Sequence, residues 1–277
     1  YRSLQNSGIP HPETFFSEDT SFTELVRNVT FPVYIRPSQS QIFSQYFKGK
    51  GFLARTPREL QHYLRLVQKH HVEVMVQQIV AGPTENGYIV RGYITRQGVL
   101  KVLIALQKIW QPNMFADESI AVTIPRAQVV DFIQPFLKWI KRVHYRGIFD
   151  AEFKRDVRDG AMKLLEVNAR STGDSYMGLA CGADDIFAAY SDALGKDICA
   201  TDKYQHGVYY IREISSLKTV FNRITHGQPS RLGDLGRMLS KKHFHLFSRD
   251  DFLPVLVGLR QEAAHLIGCL NPIKGNK

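Results

Sequence analysis

The sequence is poor in cysteine and has no long apolar run. Only Cys181, Cys199 and Cys269 occur among 277 residues, and no two of them form a C-x-x-C pair. This excludes a disulfide framework and a thiolate zinc site, and we expect three buried, unreactive thiols. No stretch reaches the roughly 18 apolar residues that cross a bilayer, and the first residues lack the pattern of a secretory signal. We therefore expect a cytoplasmic chain that has no membrane partner.

Acidic residues are outnumbered by basic ones, 26 to 36, which gives a formal net charge of +10. A basic surface attracts polyanions, so nucleic acids and nucleotide triphosphates are both candidate ligands. Hydrophobic residues make up 44% of the chain and charged residues 22%, which is the balance of a folded globular chain. The length suffices for one large domain or two modest ones.

Strand and helix patterns alternate along the chain, without internal repeats or low-complexity tracts. After an entry segment, residues 1–30, the pattern predicts a small α+β lobe over 31–80. A loop rich in Ser, Gln and Lys separates its first two strands. The predicted elements are a helix over 18–28, strands over 31–37 and 51–55, a helix over 56–71 and a strand over 72–80.

A larger lobe is predicted over 81–200, followed by a C-terminal segment or subdomain over 201–277. A turn and a β-hairpin open the larger lobe. A long amphipathic helix then starts near Pro125 and ends at Gly147, with a kink expected at Pro135. The later predicted elements are a hairpin closed by Asp-Gly and helices over 174–181 and 183–195. A strand over 207–214, further helices, a short strand over 243–248 and a final helix follow.

Two carboxylates and an amide stand on the predicted hairpin 147–170. Residues two apart on a strand face the same side, so Glu166 and Asn168 project together, and Glu152 lies on the paired strand. Like carboxylates repel unless a cation lies between them, and these three oxygen donors suit Mg²⁺ held beside phosphates. The alternative is a solvated face whose acids are neutralised by nearby basic residues: Lys154, Arg155, Arg158 and Lys163.

The order of these features resembles the metal-binding core of the ATP-grasp superfamily, in which a strand with an acidic ligand precedes a strand with the pattern E-x-N. The matching text is EFKRDVRDGAMKLLEVNAR. The resemblance covers roughly residues 8–195, and FSRDDFLPVL, 247–256, is similar to the tail of predicted carboxylate-amine ligases of this superfamily. It implies an α+β fold in which two α+β lobes grip a nucleotide, with an additional C-terminal segment. The N-terminal domain that usually precedes the lobes is not visible.

The resemblance also implies a site for ATP and Mg²⁺, with Mn²⁺ as a substitute. Arg36 stands where the first phosphate-side strand usually ends in Lys-Pro, and Lys108 stands where a basic residue often reaches the phosphates. Lys48 and Lys50, in the segment KGKG, would belong to a flexible loop over the phosphates. The residues implied for the adenine are Gln77, Gln78, Ile79 and Val80, and the residue implied for the ribose is Glu85.

The implied reaction is phosphorylation of a carboxylate by ATP to an acylphosphate, which an amine then attacks. The implied catalytic residues are Lys108 and Arg170. Arg170 suits this role because its guanidinium can bind an oxyanion through two hydrogen bonds. A pair with Asp174 or Glu152 is the alternative for Arg170. The implied partners are small-molecule carboxylate and amine substrates, and a homodimer is compatible with the habit of the family.

Two other functions stay open. An inactive ATP-binding protein is suggested by Arg36 in place of lysine and by the small number of glycines in the phosphate loop. A nucleic-acid-binding protein is suggested by the charge, but the basic residues are scattered and no nucleic-acid motif is present, so we expect no nucleic-acid partner. The histidines of the C-terminal segment lack the spacing of a metal site: His206, His226, His243 and His245.

Overall fold

The computed structural model describes residues 1–4, 7–113, 119–201, 203–216, 242–248 and 250–270. The chain forms two compact units, one of Tyr1–Pro83 with Phe153–Glu166, the other of Thr84–Glu152 with Val167–Lys277. The predicted functional boundaries near residues 30, 80 and 200 stay a prediction. His226, and the helices expected around it, lie outside the described residues.

The first unit contains a four-stranded antiparallel sheet with the order β1-β4-β2-β3. Its strands are β1 (Thr14–Phe16), β2 (Val33–Pro37), β3 (Phe52–Ala54) and β4 (Val74–Gln78), and its helices are a 3₁₀ turn (Arg2–Leu4), α1 (Phe22–Asn28), α2 (Ser40–Tyr46) and α3 (Pro57–Lys69). Local sequence fixes the helix starts. Ser21 and Glu24 form a capping box at α1, and Thr56 accepts from the Glu59 N–H at α3, where Pro57 is the first residue.

Helix α2 corrects the expectation of a loop between the first two strands. The segment is rich in Ser and Gln, but Phe43 is buried and its ring lies 5.0 Å from that of Phe47 and 5.2 Å from that of Phe52. This aromatic cluster supplies the apolar contact that a short helix needs in order to form. The loop that remains after α2 is short and contains Lys48 and Lys50.

The second unit contains most of a seven-stranded sheet with the order β11-β10-β7-β6-β5-β8-β9. Its strands are β5 (Gly87–Ile94), β6 (Leu100–Trp110), β7 (Ile120–Ile124), β8 (Gly147–Arg155), β9 (Met162–Asn168), β10 (Tyr209–Ile211) and β11 (Lys242–Phe244). Its helices are α4 (Val130–Arg142), α5 (Tyr176–Cys181), α6 (Asp185–Ala193) and α7 (Leu253–Leu270), with 3₁₀ turns at Thr84–Asn86 and Arg126–Gln128. None of the helices within the described residues combines the length and apolar character needed to cross a bilayer.

The β5–β6 hairpin and the Asp-Gly turn between β8 and β9 confirm two sequence expectations. Strands β5 and β6 pair antiparallel along their length, from Tyr88 opposite Gln107 to Ile94 opposite Leu100. Gly160 has a φ of +71°, which glycine adopts without the steric cost that other residues meet. The hairpin 147–170 therefore exists, and its distal part, Phe153–Glu166, belongs to the first unit.

The long helix expected to end at Gly147 is shorter. It begins as the 3₁₀ turn Arg126–Gln128 and continues as α4, which ends at Arg142. His144 and Gly147 both have positive φ, 54° and 116°, which a right-handed helix does not accommodate. Pro135 lies inside α4, and the kink expected there stays a prediction.

The cysteines also depart from expectation. Cys181 is buried, and burial raises the pKa of its thiol to about 11, so it is unreactive as predicted. Cys199 is exposed, because it lies in an irregular segment after α6, and the prediction that it is buried was wrong. The side chain of Cys269 lies outside the described part of the chain.

Asp185 is a carboxylic acid inside the second unit, at the start of α6. It is fully buried, and within the described residues neither of its side-chain oxygens has a hydrogen-bond partner. Gly178 lies against it, since a Cβ at that position would meet Asp185 Oδ1 at 2.8 Å. Burial raises the pKa of Asp185 to about 6, against the opposing attraction of Arg91.

We predict that Asp185→Asn stabilises the protein at pH 7.5 and does so much less at pH 4.5. The pKa in the folded state is above the ordinary value of 3.8, so ionisation destabilises the fold as the pH rises from about 4 to above 6. A rise from 3.8 to about 6 corresponds to ~3 kcal/mol, which the neutral amide recovers. The free energy of unfolding by urea is measured at both pH values for wild type and variant, with exposed Asp197→Asn as the control. An equal increase in the free energy of unfolding at both pH values would contradict the prediction.

Candidate functional site

Arg36 and Glu166 form an ion pair in the first unit. Arg36 lies on β2 just before Pro37, and its Nη2 is 2.5 Å from Glu166 Oε2 on β9. Both side chains are partly exposed, 28% and 38%, so solvent and solutes reach the pair. The residue predicted to bind phosphate therefore contacts a predicted metal ligand.

Lys108 and Glu152 form the corresponding pair in the second unit. Lys108 Nζ on β6 is 2.7 Å from Glu152 Oε2 on β8, with the lysine side chain 7% exposed and the glutamate side chain 26%. Gly87 leaves room for the lysine, since a Cβ there would lie 3.1 Å from Lys108 Cδ. A buried lysine needs an anion, and Glu152 supplies it.

Asp156 collects the basic residues of the hairpin turn. It is fully buried and accepts hydrogen bonds from Arg158 Nη2 at 2.6 Å and from Lys163 Nζ at 2.9 Å. These donors, Arg158 first, hold the pKa of Asp156 well below its usual range. Arg158 and Lys163 were two of the four basic residues considered as alternative partners for the predicted metal ligands. Both pair with Asp156.

The predicted adenine segment, Gln77–Val80, lies at the end of β4 and is anchored by the same turn. Arg158 Nη2 donates to Ile79 O at 2.7 Å, and Val157 N donates to Ala81 O at 3.1 Å. Gln77 is buried and its Nε2 donates to Thr14 Oγ1 at 3.0 Å, while Gln78 N donates to Glu13 O at 2.9 Å. All of these residues belong to the first unit, where the contacts hold the segment in place.

The other predicted residues lie at the surface or at strand ends. Lys48 and Lys50 are exposed, and Glu85 lies in the 3₁₀ turn Thr84–Asn86, where its carbonyl accepts from Gln107 Nε2 at 2.8 Å. Asn168 is the last residue of β9 and is half-buried. Arg170 is exposed and donates to Ser171 O at 3.0 Å, whereas Asp174 and Glu152 pair with Arg91 and Lys108.

Arg91 is a buried residue near this site that the sequence analysis missed. It lies on β5 with no exposed surface, and its Nη2 is 3.0 Å from Asp150 Oδ2 and 2.9 Å from Thr172 Oγ1. It also forms an ion pair with Asp174 and donates to the Asp174 carbonyl at 2.9 Å. The sequence did offer an indication of this buried charge, since Arg91 lies in the middle of the otherwise largely apolar predicted strand YIVRGYIT.

The Arg91 network connects two parts of the second unit that carry predicted site residues. Asp150 precedes Glu152 by two positions on β8, and Thr172 follows Arg170 by two positions. Thr172 Oγ1 lies 3.1 Å from Asp150 Oδ2 and 2.6 Å from Asp174 Oδ1. Burial, and then the nearby Asp174, raise the pKa of Asp150 to about 6 despite Arg91. The network therefore fixes the backbone on both sides of the predicted ligands.

The donors Glu152, Glu166 and Asn168 fit Mg²⁺ in chemical type. They lie on β8 and β9, which are neighbours in the sheet. In the described part of the chain, no three His, Cys, Asp or Glu side chains gather as a metal site, and this set has only two carboxylates and an amide. Mg²⁺ suits such a set, because it commonly takes one or two protein carboxylates and completes its octahedron with water and phosphate oxygens.

Comparison with known proteins gives both a sequence relative and structural neighbours, although no family profile matches the chain. The chain is 22% identical over 185 residues to a D-aspartate ligase of Enterococcus faecium, covering 64% of this chain and 44% of that protein. An L-amino acid ligase from Bacillus licheniformis matches with a TM-score of 0.52 and 17% identity, over 70% of this chain and 45% of that one. The ADP complex of PurK, an N5-carboxyaminoimidazole ribonucleotide synthetase, matches with a TM-score of 0.61 and 13% identity, over 81% and 58%.

The chain spans about half the length of these proteins. At identities below 25%, the structural likeness establishes the fold. The two α+β units and the hairpin with its E-x-N strand agree with that likeness. The chain therefore has the ATP-grasp fold.

Proposed function

We propose that the chain acts in an ATP- and Mg²⁺-dependent ligase reaction that joins a small-molecule carboxylate to an amine. The observation that carries the proposal is the pairing of both predicted glutamate ligands with the predicted phosphate-binding cations, Arg36 with Glu166 and Lys108 with Glu152. The similarity to a D-aspartate ligase and to an L-amino acid ligase supports the same reaction class.

The two ion pairs would exchange partners when nucleotide binds. Without nucleotide, Arg36 and Lys108 neutralise carboxylates that would otherwise be partly buried without a counter-charge. Phosphate oxygens of ATP would take over the two cations, and the released glutamates would hold Mg²⁺ together with Asn168. The bound Mg²⁺ would offset the negative charge of the phosphates during transfer. In the proposed complex, as in the structure, each of the four charged side chains would therefore have a partner of opposite charge.

The remaining nucleotide contacts are assigned by position. The adenine would bind along Gln77, Gln78, Ile79 and Val80, and the ribose at Glu85. The exposed side chains of Lys48 and Lys50 would meet the terminal phosphate from the short loop after α2. The hydrogen bond from Arg158 to Ile79 O supports this assignment, because it holds the adenine segment in one conformation before the nucleotide arrives.

In the proposed reaction, a carboxylate oxygen attacks the γ-phosphorus of ATP. The bond from that phosphorus to the oxygen bridging to the β-phosphate breaks, and ADP leaves. An amine then attacks the carbonyl carbon of the acylphosphate, phosphate leaves, and the amine loses a proton. Arg170 would bind the carboxylate or the tetrahedral oxyanion, and Lys108 would neutralise charge on the transferred phosphate.

We predict that ATP with Mg²⁺ raises the melting temperature of the wild-type chain. At a ligand concentration a hundred times Kd the stabilisation is about 2.7 kcal/mol, which corresponds to several degrees. The Glu166→Gln variant should lose most of the Mg²⁺-dependent stabilisation by ATP. The Glu73→Gln variant, changed at an exposed residue of the same unit, should retain it. ADP release should then require both an acid and an amine, with aspartate among the first acids tested. Selective stabilisation by double-stranded DNA, or no response to ATP, would contradict the proposal.

We predict that Arg36→Met and Arg36→Lys separate in kinetics. A neutral side chain removes the phosphate contact and leaves Glu166 without its cation, so Arg36→Met should raise the KM for ATP and lower kcat, each by ~10-fold or more. Lysine keeps the charge but not the planar fork, so Arg36→Lys should retain measurable turnover. Steady-state kinetics over a range of ATP concentrations decide this. Unchanged constants in Arg36→Met would show that Arg36 is structural.

We predict that Thr172→Val lowers kcat by ~10-fold while the KM for ATP changes little. The valine keeps the shape but loses the hydroxyl that lies between Arg91, Asp150 and Asp174, so the backbone after Asn168 and Arg170 loses a positioning contact. Thr172→Ser keeps the hydroxyl and should restore kcat. Kinetics are measured below the melting temperature of each variant. A serine variant as slow as the valine variant would contradict the assignment.

A further inference from the structure

Helix α6 carries its polar residues inward and its apolar residues outward. Its buried residues, between 0% and 6% exposed, are Asp185, Ala188, Ser191 and Asp192. The exposed residues of the helix and of the position after it, between 46% and 64% exposed, are Ile186, Phe187, Tyr190 and Leu194. A surface helix of a globular protein normally shows the opposite arrangement. An inverted helix of this kind presents an apolar face that is available to a partner.

Hydrogen bonds fix the helix in this orientation. Asp192 Oδ2 accepts from the Tyr93 hydroxyl at 2.7 Å and from the Arg96 N–H at 2.8 Å. Asp184 caps the helix by accepting from Phe187 N at 2.8 Å. Rotation of the helix to bury its apolar side would break the contacts of Asp192 and place that carboxylate in water. The exposed apolar side is therefore a consequence of polar contacts within the second unit.

The neighbouring helix α5, which contacts α6, also carries exposed apolar residues. Two residues of α5, Tyr176 and Leu179, are 54% and 57% exposed. Together with the outward residues of α6 they define the α5–α6 face: Tyr176, Leu179, Ile186, Phe187, Tyr190 and Leu194. Large exposed apolar areas on adjoining elements of a globular protein mark interaction sites.

We propose that the α5–α6 face is the docking surface for a second copy of this chain. Six large side chains, each about half exposed, offer roughly 100 Å² apiece, so the face offers roughly 600 Å². A twofold contact between two such faces would bury ~1,200 Å², the lower end of the range for stable interfaces. In a twofold arrangement the same surface of each copy contacts the other, so the α5–α6 face alone can form both halves of the interface.

The charges around the face favour a second copy in an antiparallel arrangement. The chain has a formal net charge of +10, so two copies repel each other in general, but the six residues of the face are uncharged. An acid, Asp184, precedes α6 and a base, Lys196, follows it. Antiparallel packing of the two α6 helices would bring Asp184 of one copy toward Lys196 of the partner subunit, which adds attraction and sets the orientation.

Sedimentation equilibrium without nucleotide tests the proposal independently of ligase activity. Over a hundredfold range of concentration, the wild-type mass should approach twice the chain mass of 31.7 kDa. Phe187→Glu and Tyr190→Glu should each weaken self-association by ~30-fold, as expected for buried aromatic contacts at the centre of an interface. Both residues are more than half exposed, so the variants should fold, which circular dichroism and the melting temperature verify.

Leu256→Glu is the matched control, because Leu256 on α7 is 61% exposed and lies outside the α5–α6 face. It should leave the mass unchanged. A wild-type chain that stays monomeric throughout, or a dimer that survives both Phe187→Glu and Tyr190→Glu, would overturn the proposal. Dissociation by Leu256→Glu alone would overturn it as well, since the interface would then belong to α7.

Discussion

Pairing of acidic side chains on the β8–β9 hairpin with basic side chains is the interaction on which both units depend. Carboxylates removed from water require a counter-charge, which Asp150, Glu152 and Glu166 receive from other strands and Asp156 receives from the hairpin itself. Strands β2, β5 and β6 thereby contact the hairpin through charge, and β5 also pairs with β8 in the sheet. The pairs are Asp150 with Arg91, Glu152 with Lys108, Asp156 with Arg158 and Lys163, and Glu166 with Arg36.

The degree of burial separates structural pairs from exchangeable ones. Arg91 and Asp150 are almost completely buried, so breaking that pair would leave a charge in an apolar setting and destabilise the fold. Arg36 and Glu166 are about a third exposed, and water compensates for partial loss of the pair. Lys108 and Glu152 lie between these limits. In the proposed function, ATP with Mg²⁺ would replace the two more exposed pairs and leave the Arg91–Asp150 pair intact.

Elements set by local pattern were predictable, and those set by distant contacts were not. The β5–β6 hairpin and the Asp-Gly turn follow from alternation and turn chemistry, and the E-x-N strand identified the fold. Helix α2 forms because Phe43 packs against Phe52, a contact that Ser- and Gln-rich text does not reveal. Arg91 meets Asp150 at a separation of 59 residues and Asp174 at 83. Its charge was visible in the sequence, but its partners were not.

The anchoring of the hairpin turn limits which changes in its length the fold can accept. Surface turns usually accept insertions and deletions, because few contacts depend on their length. Here Val157 and Arg158 hold the backbone at Ala81 and Ile79, and Asp156 orders the turn from inside. Adding one residue to the turn would shift these donors relative to their acceptors and alter the predicted adenine segment. The length of the turn at residues 157–160 therefore sets the position of the backbone at Ile79 and Ala81, so an engineered insertion in this turn would also displace the chain after β4.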